Sequence, residues 1–104
     1  MSVLLEFSMF PTDKGESVSD YVSQVLKMID GSGVSYKLTA MGTIIETDTV
    51  GEALQIVEQA ATVLDRLGCN RIYSSLKMDI RTSKANRLSG KIDSIREKIG
   101  HVES

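Results

Sequence analysis

The sequence predicts an α+β fold with a four-stranded antiparallel sheet, two helices on one face of the sheet, and an extra C-terminal helix. Short apolar or alternating runs, typical of strands, are separated by two longer segments with apolar residues at helical spacing. Their order is strand, helix, strand, strand, helix, strand. The chain has 104 residues, which suits one domain with a single core. We therefore interpret residues 1–104 as one domain whose ordered core covers about residues 3–99, since chain ends commonly fray.

The first strand and the first helix are separated by a polar loop. Residues 3–10, "VLLEFSMF", form a short apolar run that a proline ends, which favours a strand. After "PTDKGES", the segment "SVSDYVSQVLKMIDGSG" has one apolar face at helical spacing, and Ser17 with Asp20 predicts a capped N-terminus. Gly31 and Gly33 are expected to end this helix.

A hairpin is predicted next. Residues 34–39, "VSYKLT", alternate between apolar and polar side chains, which is typical of a half-buried strand. The segment "AMG" is short and contains glycine, so it suits a tight turn. Residues 43–47, "TIIET", are the returning strand.

The second helix is expected to begin near Asp48 or Thr49, because Thr49 and Glu52 have capping-box spacing. Gly68 is placed to end it. Its predicted buried stripe consists of Val50, Ala53, Leu54, Val57, Ala61, Leu64 and Leu67.

The last strand and the last helix complete the chain. Residues 71–80, "RIYSSLKMDI", alternate as a strand, and a helix is predicted from about Lys84 to Ile99. Its apolar stripe is narrow, which suits docking onto a neighbour rather than a deep core. The stripe consists of Leu88, Ile92, Ile95 and Ile99. The tail "GHVES" is expected to fray.

This order of elements is the ferredoxin-like split βαβ arrangement. Right-handed crossovers place both helices on one face of the sheet, and the usual strand order places the first strand between the third and the fourth. The face under the helices is predicted to receive Leu5, Phe7, Met9, Val34, Tyr36, Leu38, Ile72, Leu76 and Met78. The bare face is predicted to receive Leu4, Glu6, Ser8, Phe10, Ile44, Glu46, Tyr73, Ser75, Lys77 and Asp79.

The bare face mixes apolar residues with three carboxylates, which indicates an interface or a ligand site rather than a plain solvated surface. Sheet-to-sheet assembly into a homodimer or a homotetramer would pack the apolar residues and pair the charges. The predicted interface residues are Glu6, Ile44, Tyr73, Lys77, Asp79, Leu88, Ile92 and Ile95.

Composition excludes several other classes of function. The net charge of −2 argues against nucleic acid as a partner. A single cysteine, Cys69, excludes an internal disulfide and a cysteine-based zinc site. Without a basic leader or a long apolar run, we expect a cytoplasmic protein with no membrane partner. His101 is the only histidine, so a Ser-His-Asp or Cys-His catalytic site is not expected. No metal site or cofactor is predicted.

Several motifs together resemble one protein family. These are "EFSMFP", the "SVSDYV" helix start, "GVSYKLTAMGTIIET" and "RIYSSLKMDIR". In this order and spacing they resemble the small thiamine-binding proteins of the YkoF-like superfamily, over residues 4–99. The resemblance implies a ferredoxin-like fold, a homotetramer built as a dimer of dimers, and binding of thiamine or its hydroxymethylpyrimidine moiety without catalysis. Thr43 and Glu46 match the family pattern T-T-x-E-G, whereas Ile44 and Thr47 depart from it.

Thiamine is a cation with an aminopyrimidine ring, so its site needs an acid, hydrogen-bonding groups and apolar side chains. The predicted ligand-binding residues are Ser8, Phe10, Met41, Thr43, Glu46 and Ser75, with Tyr73 as a further ring contact. Glu46 has an alternative role in an interface salt bridge with Lys77 or Lys37. Thr43 and Glu46 are three positions apart, so on an ideal strand their side chains point to opposite faces of the sheet. Both can contact one ligand only if a bulge intervenes or if the site lies at the strand end.

Two other functions remain open from the sequence. One is an ACT-like regulatory module that senses a different small metabolite at a subunit interface. The other is an enzyme, since acylphosphatases share this fold. Their loop after the first strand carries an arginine, however, and "PTDKGES" does not. We therefore expect a non-catalytic binding protein.

Overall fold

The computed structural model describes residues 1–16, 18–83 and 87–100, and for 89–94 the backbone alone. The predicted order of elements is confirmed, with the extra C-terminal helix. The elements are β1 (Ser2–Pro11), α1 (Ser19–Ser32), β2 (Ser35–Thr39), β3 (Gly42–Thr47), α2 (Val50–Arg66), β4 (Ile72–Arg81) and α3 (Arg87–Ile99).

The four strands form one antiparallel sheet in the order β2-β3-β1-β4. β1 is central, as predicted, and Leu4 lies opposite Glu46 on one side and Asp79 on the other. The pairing of β1 with β3 ends at Phe7 and Thr43, whereas its pairing with β4 continues to the end of the strand. The second half of β1 therefore extends past its pairing with β3.

The core lies between the sheet and the helices α1 and α2. Alternate residues of β1 are buried, as the sequence predicts, because successive side chains of a strand point to opposite faces. Burial of this apolar surface is the main stabilising contribution to such a core. The core residues are Val3, Leu5, Phe7, Met9, Val25, Ile29, Ile45, Ala53, Ile56, Ala60, Leu64 and Cys69.

The predicted cap of α2 is confirmed, but its predicted buried stripe is partly wrong. The Thr49 hydroxyl accepts a hydrogen bond from the Glu52 amide at 3.1 Å. The buried positions are Ala53, Ile56, Ala60 and Leu64. Leu54 is 48% exposed because one residue turns the helix by about 100°, which moves it off the buried side. Leu67 is 43% exposed because it caps the C-terminus, past the last turn.

The ends of α1 differ from the prediction. Val18 is the N-cap and makes no side-chain cap hydrogen bond, and the predicted cap residue Ser17 lies outside the described residues. The helix also continues through Gly31 to Ser32. Gly33, with a φ of 80°, is the residue that ends it. Gly31 adopts a helical backbone, which glycine tolerates. The helix ends at Gly33 because its positive φ is not a helical conformation.

Two residues predicted to lie under the helices are largely solvent-accessible. Leu38 is 60% exposed and Leu76 is 44% exposed. Leu38 lies on β2 and Leu76 on β4, the two edge strands of the sheet, which the helices cover less completely than the central strands. The predicted start of α3 at Lys84, the frayed tail at 101–104 and the side chain of Ile92 lie outside the described residues. No helix in the described part of the chain is long and apolar enough to cross a membrane.

Candidate functional site

The sheet face opposite α1 and α2, which we call the bare face, carries two rows of side chains that cross the strands. The first row, from β2 to β4, consists of Lys37, Ile44, Glu6 and Lys77. The second row consists of Ser35, Glu46, Leu4 and Asp79. The residues of these rows that lie on β1, β3 and β4 were all predicted to lie on the bare face, whereas Lys37 and Ser35 of β2 were not among the residues predicted there.

Glu46 caps the N-terminus of α3. Its carboxylate accepts hydrogen bonds from the amides of Arg87 at 3.0 Å and Leu88 at 3.2 Å. It also accepts from the Ser2 hydroxyl at 2.5 Å. The first amides of a helix have no partner within the helix, and negative charge is favourable there. Glu46 therefore holds the start of α3 against the bare face.

Arg87 reinforces this attachment. The residue is only 2% exposed, and it donates from Nε to the Ser2 hydroxyl at 3.1 Å and from Nη2 to the Ser2 carbonyl at 2.7 Å. It also donates to Asp79, from Nη1 to the carboxylate at 2.8 Å and from Nη2 to the carbonyl at 2.6 Å. Every terminal nitrogen of this buried guanidinium therefore has a partner, as a buried charge requires.

The environment of Glu46 keeps its carboxylate ionised. Burial acts to raise the pKa of Glu46, but the hydrogen bonds from Ser2, Arg87 and Leu88 and the positive charge of Arg87 together lower that pKa below its ordinary value. Hydrogen bonds to the charged form of an acid favour that form. The cap is therefore present as a carboxylate at neutral pH.

Thr43 lies on the opposite face of β3 from Glu46. It is 6% exposed and points towards the helices, as the parity of an ideal strand requires. The structure therefore does not bring Thr43 and Glu46 together. The ligand contact predicted for Glu46 stays a prediction, and its carboxylate is already engaged with Ser2 and α3.

Four of the predicted ligand-binding residues border one cavity of about 400 Å³. These residues are Ser8, Phe10, Met41 and Thr43. We call it the hairpin cavity, because it lies between the start of α1, the β2–β3 turn and the second half of β1. The full lining is Phe7, Ser8, Met9, Phe10, Val18, Val22, Val25, Leu26, Leu38, Thr39, Ala40, Met41, Gly42 and Thr43.

The β2–β3 turn forms one wall of the hairpin cavity. The Thr39 hydroxyl donates to the Gly42 carbonyl at 2.9 Å and accepts from the Met41 amide at 3.2 Å. A Cβ atom on Gly42 would lie 2.8 Å from the Phe7 carbonyl oxygen. Only glycine therefore allows this close approach of β3 to β1. Met41, at the tip, is 85% exposed.

Ser75 lies beside the hairpin cavity rather than in it. Its hydroxyl is 3.1 Å from the hydroxyl of Ser8, and a smaller cavity of about 260 Å³ is lined by Ser75, Ser8 and Met41 among others. Phe10 packs against Tyr73 with 5.8 Å between the ring centroids. Five of the six predicted ligand-binding residues therefore lie around one end of the sheet, and Glu46 lies towards the other.

Several of the predicted interface residues have contacts within the chain. Glu6 and Lys77 form an exposed ion pair at 3.6 Å, and Asp79 pairs with Arg87. Tyr73 and Ile95 remain 59% and 49% exposed. Ile44 lies on the bare face and Leu88 faces it from α3, both half-buried. The interface role of all of these residues stays a prediction.

Ser2 and Arg87 were not predicted from the sequence. They are 85 residues apart and meet through the guanidinium of Arg87. No spacing pattern reveals such a pair. The signal available was Arg87 itself, a charged residue immediately before the apolar stripe of the last helix.

Comparisons with known proteins agree with this fold. A family model described as thiamine-binding protein matches residues 5–96. The chain belongs to the thiamine-binding protein family. It is 36% identical over 96 residues to the UPF0045 protein MJ1052 of Methanocaldococcus jannaschii, covering 91% of this chain and 93% of that one. The crystal structure of MJ1052 superimposes with a TM-score of 0.78, covering 92% and 97% of the two chains.

Two further solved structures have the same fold. A domain of unknown function, DUF77, from Bacillus cereus is 26% identical with a TM-score of 0.80, covering 94% of this chain and 93% of that one. A Thermotoga maritima protein provisionally assigned to thiamine biosynthesis or salvage is 17% identical with a TM-score of 0.78, covering 92% and 100%. At this identity the Thermotoga protein supports the fold alone.

Proposed function

We propose that this protein binds thiamine or its hydroxymethylpyrimidine moiety, without chemical conversion, in the hairpin cavity. Membership of the thiamine-binding protein family supports the ligand class. The cavity supports the location, since about 400 Å³ is within the usual range of small-molecule sites.

The observation that carries the proposal is the hydroxyl of Thr43. The residue is 6% exposed and borders the hairpin cavity. Its hydroxyl forms no hydrogen bond with another residue that the structure describes, so it can both donate to and accept from a partner. A ligand group in the cavity would supply that partner.

The rest of the lining suits an aminopyrimidine ring. Val22, Leu26 and Met41 offer apolar contacts for its faces, and the Ser8 hydroxyl offers a further hydrogen bond. Every described residue that lines the cavity is uncharged. We therefore place the neutral pyrimidine inside and the cationic thiazolium ring of thiamine at the solvent-facing mouth, near Met41.

Self-association is part of the proposal. The bare face leaves Tyr73 59% exposed beside Phe10, and an apolar surface of this kind is typical of an interface. We propose that the chain assembles as a homodimer or a homotetramer through the Tyr73 end of this face, on the opposite side of the sheet from Thr43.

Isothermal titration calorimetry with thiamine and with hydroxymethylpyrimidine tests the ligand. We expect saturable binding of both compounds, with Thr43→Val weakening it about tenfold through the loss of one hydrogen bond. Thr62→Val is the matched control, because Thr62 is exposed on α2 and its hydroxyl donates to the Glu58 carbonyl of the same helix. Absence of saturable binding, or an equal loss in Thr62→Val, would contradict the proposal.

A further inference from the structure

A second and larger cavity lies on the bare face, beneath the first turn of α3. Its volume is about 460 Å³. We call it the sheet-face cavity. It is lined by Leu4, Glu6, Lys37, Leu38, Thr39, Ile44, Lys77, Met78, Asp79, Arg87 and Leu88. It differs from the hairpin cavity in face and lining, although both reach Leu38 and Thr39 of edge strand β2.

The floor of the sheet-face cavity is apolar and its roof comes from α3. Leu4 and Ile44 lie side by side on the sheet, and Leu88 faces them from the helix. Leu88 is held there because its amide donates to Glu46 and its neighbour Arg87 is anchored on Ser2 and Asp79. The cavity therefore depends on the docking of α3.

The described residues that line the cavity include three cations and two carboxylates. Arg87 is paired with Asp79 at 2.8 Å, and Lys77 is 3.6 Å from Glu6. Lys37, at the β2 end of the row, has no carboxylate within salt-bridge distance among the residues that the structure describes. An apolar floor beside one unpaired ammonium group is complementary to a ligand with an apolar body and a single negative charge.

We propose that the sheet-face cavity binds a small organic acid, an aliphatic or aromatic carboxylate, whose acid group pairs with Lys37 while its apolar body lies on Leu4 and Ile44 under Leu88. This site is separate from the proposed thiamine site and takes a ligand of the opposite charge. Because Leu88 forms the roof, bound acid also stabilises the docked position of α3.

Octanoate and the fluorescent sulfonate 1-anilinonaphthalene-8-sulfonate are the probes for this site. We expect the full-length protein to bind the fluorophore at one site per chain, octanoate to displace it, and octylamine, with the same chain and a positive charge, to leave it bound. Hydrogen exchange at the Leu88 amide is expected to slow when octanoate is present.

Two lysine variants test the role of charge. Lys37→Ala is expected to weaken octanoate binding about tenfold, since one charge-assisted hydrogen bond is lost. Lys27→Ala is the matched control, because Lys27 is exposed on α1 and does not line this cavity.

A third variant tests the apolar floor. Ile44→Gln places an amide on this floor and is expected to weaken octanoate binding. Circular dichroism checks that the variant is folded.

The thiamine site provides the remaining comparison. Thr43 lies on the other face of the sheet, so Thr43→Val is expected to leave octanoate binding unchanged. The proposal would be overturned if octanoate failed to bind saturably, if octylamine displaced the fluorophore as well as octanoate does, or if Lys27→Ala weakened octanoate as much as Lys37→Ala. Displacement of octanoate by hydroxymethylpyrimidine in simple competition would also overturn it.

Discussion

Glu46 shows how one side chain can define the arrangement of a whole element. It lies on the bare face of β3, as the strand alternation predicts, but its carboxylate is bound by Ser2 and by the first two amides of α3. The sequence leaves two roles open for Glu46, a ligand-binding acid or an intermolecular salt bridge. The structure shows a third role, a cap on a helix of the same chain.

Glu46→Gln tests this cap. The amide keeps one acceptor oxygen but removes the charge, so we expect the docking of α3 to weaken by about 1 kcal/mol, the usual contribution of a helix N-terminal cap. Hydrogen exchange at the Arg87 and Leu88 amides should become faster, while exchange in β1 should not change. Glu58→Gln, on the exposed side of α2, is the control. Unchanged exchange at residues 87 and 88 would show that Glu46 does not hold the helix.

The pH dependence of the cap follows from the lowered pKa of Glu46. Because the folded-state pKa lies below the ordinary value of 4.5, the stabilisation is fully present above that value and is lost as pH falls through the folded-state pKa. We expect the amide resonance of Leu88 to titrate with a midpoint below 4.5 and this titration to disappear in Glu46→Gln. A midpoint above the ordinary value would contradict the role assigned to Glu46.

At the scale of elements, the sequence predicts strands and helices well where one residue pattern determines them. The alternation of Val3, Leu5 and Phe7 with less buried residues defines both the strand and its buried face. The Thr49–Glu52 capping box fixes the start of α2. Helix ends are less predictable. Glycine can either end a helix or lie within one, so the identity of Gly31 does not show that α1 continues to Ser32.

The hairpin provides a test at this scale. Gly42→Ala is expected to destabilise the protein by about 1–3 kcal/mol, as overpacking does, because the new Cβ would lie 2.8 Å from the Phe7 carbonyl oxygen. Gly31→Ala is the control. Gly31 lies inside α1, and apart from the adjacent helix backbone no atom lies within 4 Å of the added Cβ, so this variant should be neutral or slightly stabilising. Denaturant unfolding measures both. Equal stability of the two variants would contradict the close contact of β3 with β1.

At the scale of the whole molecule, the chain is more extended than a compact monomer. Its radius of gyration is 15.0 Å, against about 13 Å for a compact domain of 100 residues. The end of α3 exposes Ile95 and Ile99 at 49% and 67%. An extended chain with such exposed apolar residues is typical of a subunit in a larger assembly.

Light scattering coupled to size-exclusion chromatography tests the proposed assembly. We expect the wild-type protein to have two or four times the mass of one chain. Tyr73→Glu, which places a charge on the bare face, is expected to shift it towards the monomer, since an unpaired charge in an interface is unfavourable. Gln24→Glu, an exposed position on α1, adds the same charge away from that face. A monomeric wild type, or the same shift in Gln24→Glu, would contradict assembly through the bare face.

The candidate sites could be predicted from the sequence only in part. Parity along β3 is enough to place Thr43 and Glu46 on opposite faces of the sheet. The hairpin cavity depends on where the pairing of β1 with β3 ends, at Phe7 and Thr43, and on the position of α1 beside it. The anchoring of α3 depends on contacts between Ser2, Glu46 and Arg87, which are far apart in the chain and follow no periodicity.

The measurement that tests the central claim most directly is a ¹H–¹⁵N NMR titration of the full-length protein with hydroxymethylpyrimidine. We expect saturable shifts that cluster at Ser8, Phe10, Met41 and Thr43, around the hairpin cavity, while the amides of Glu46 and Leu88 stay unchanged. Shifts centred instead on Glu46 and Leu88, or no saturable shift at all, would contradict binding in the hairpin cavity.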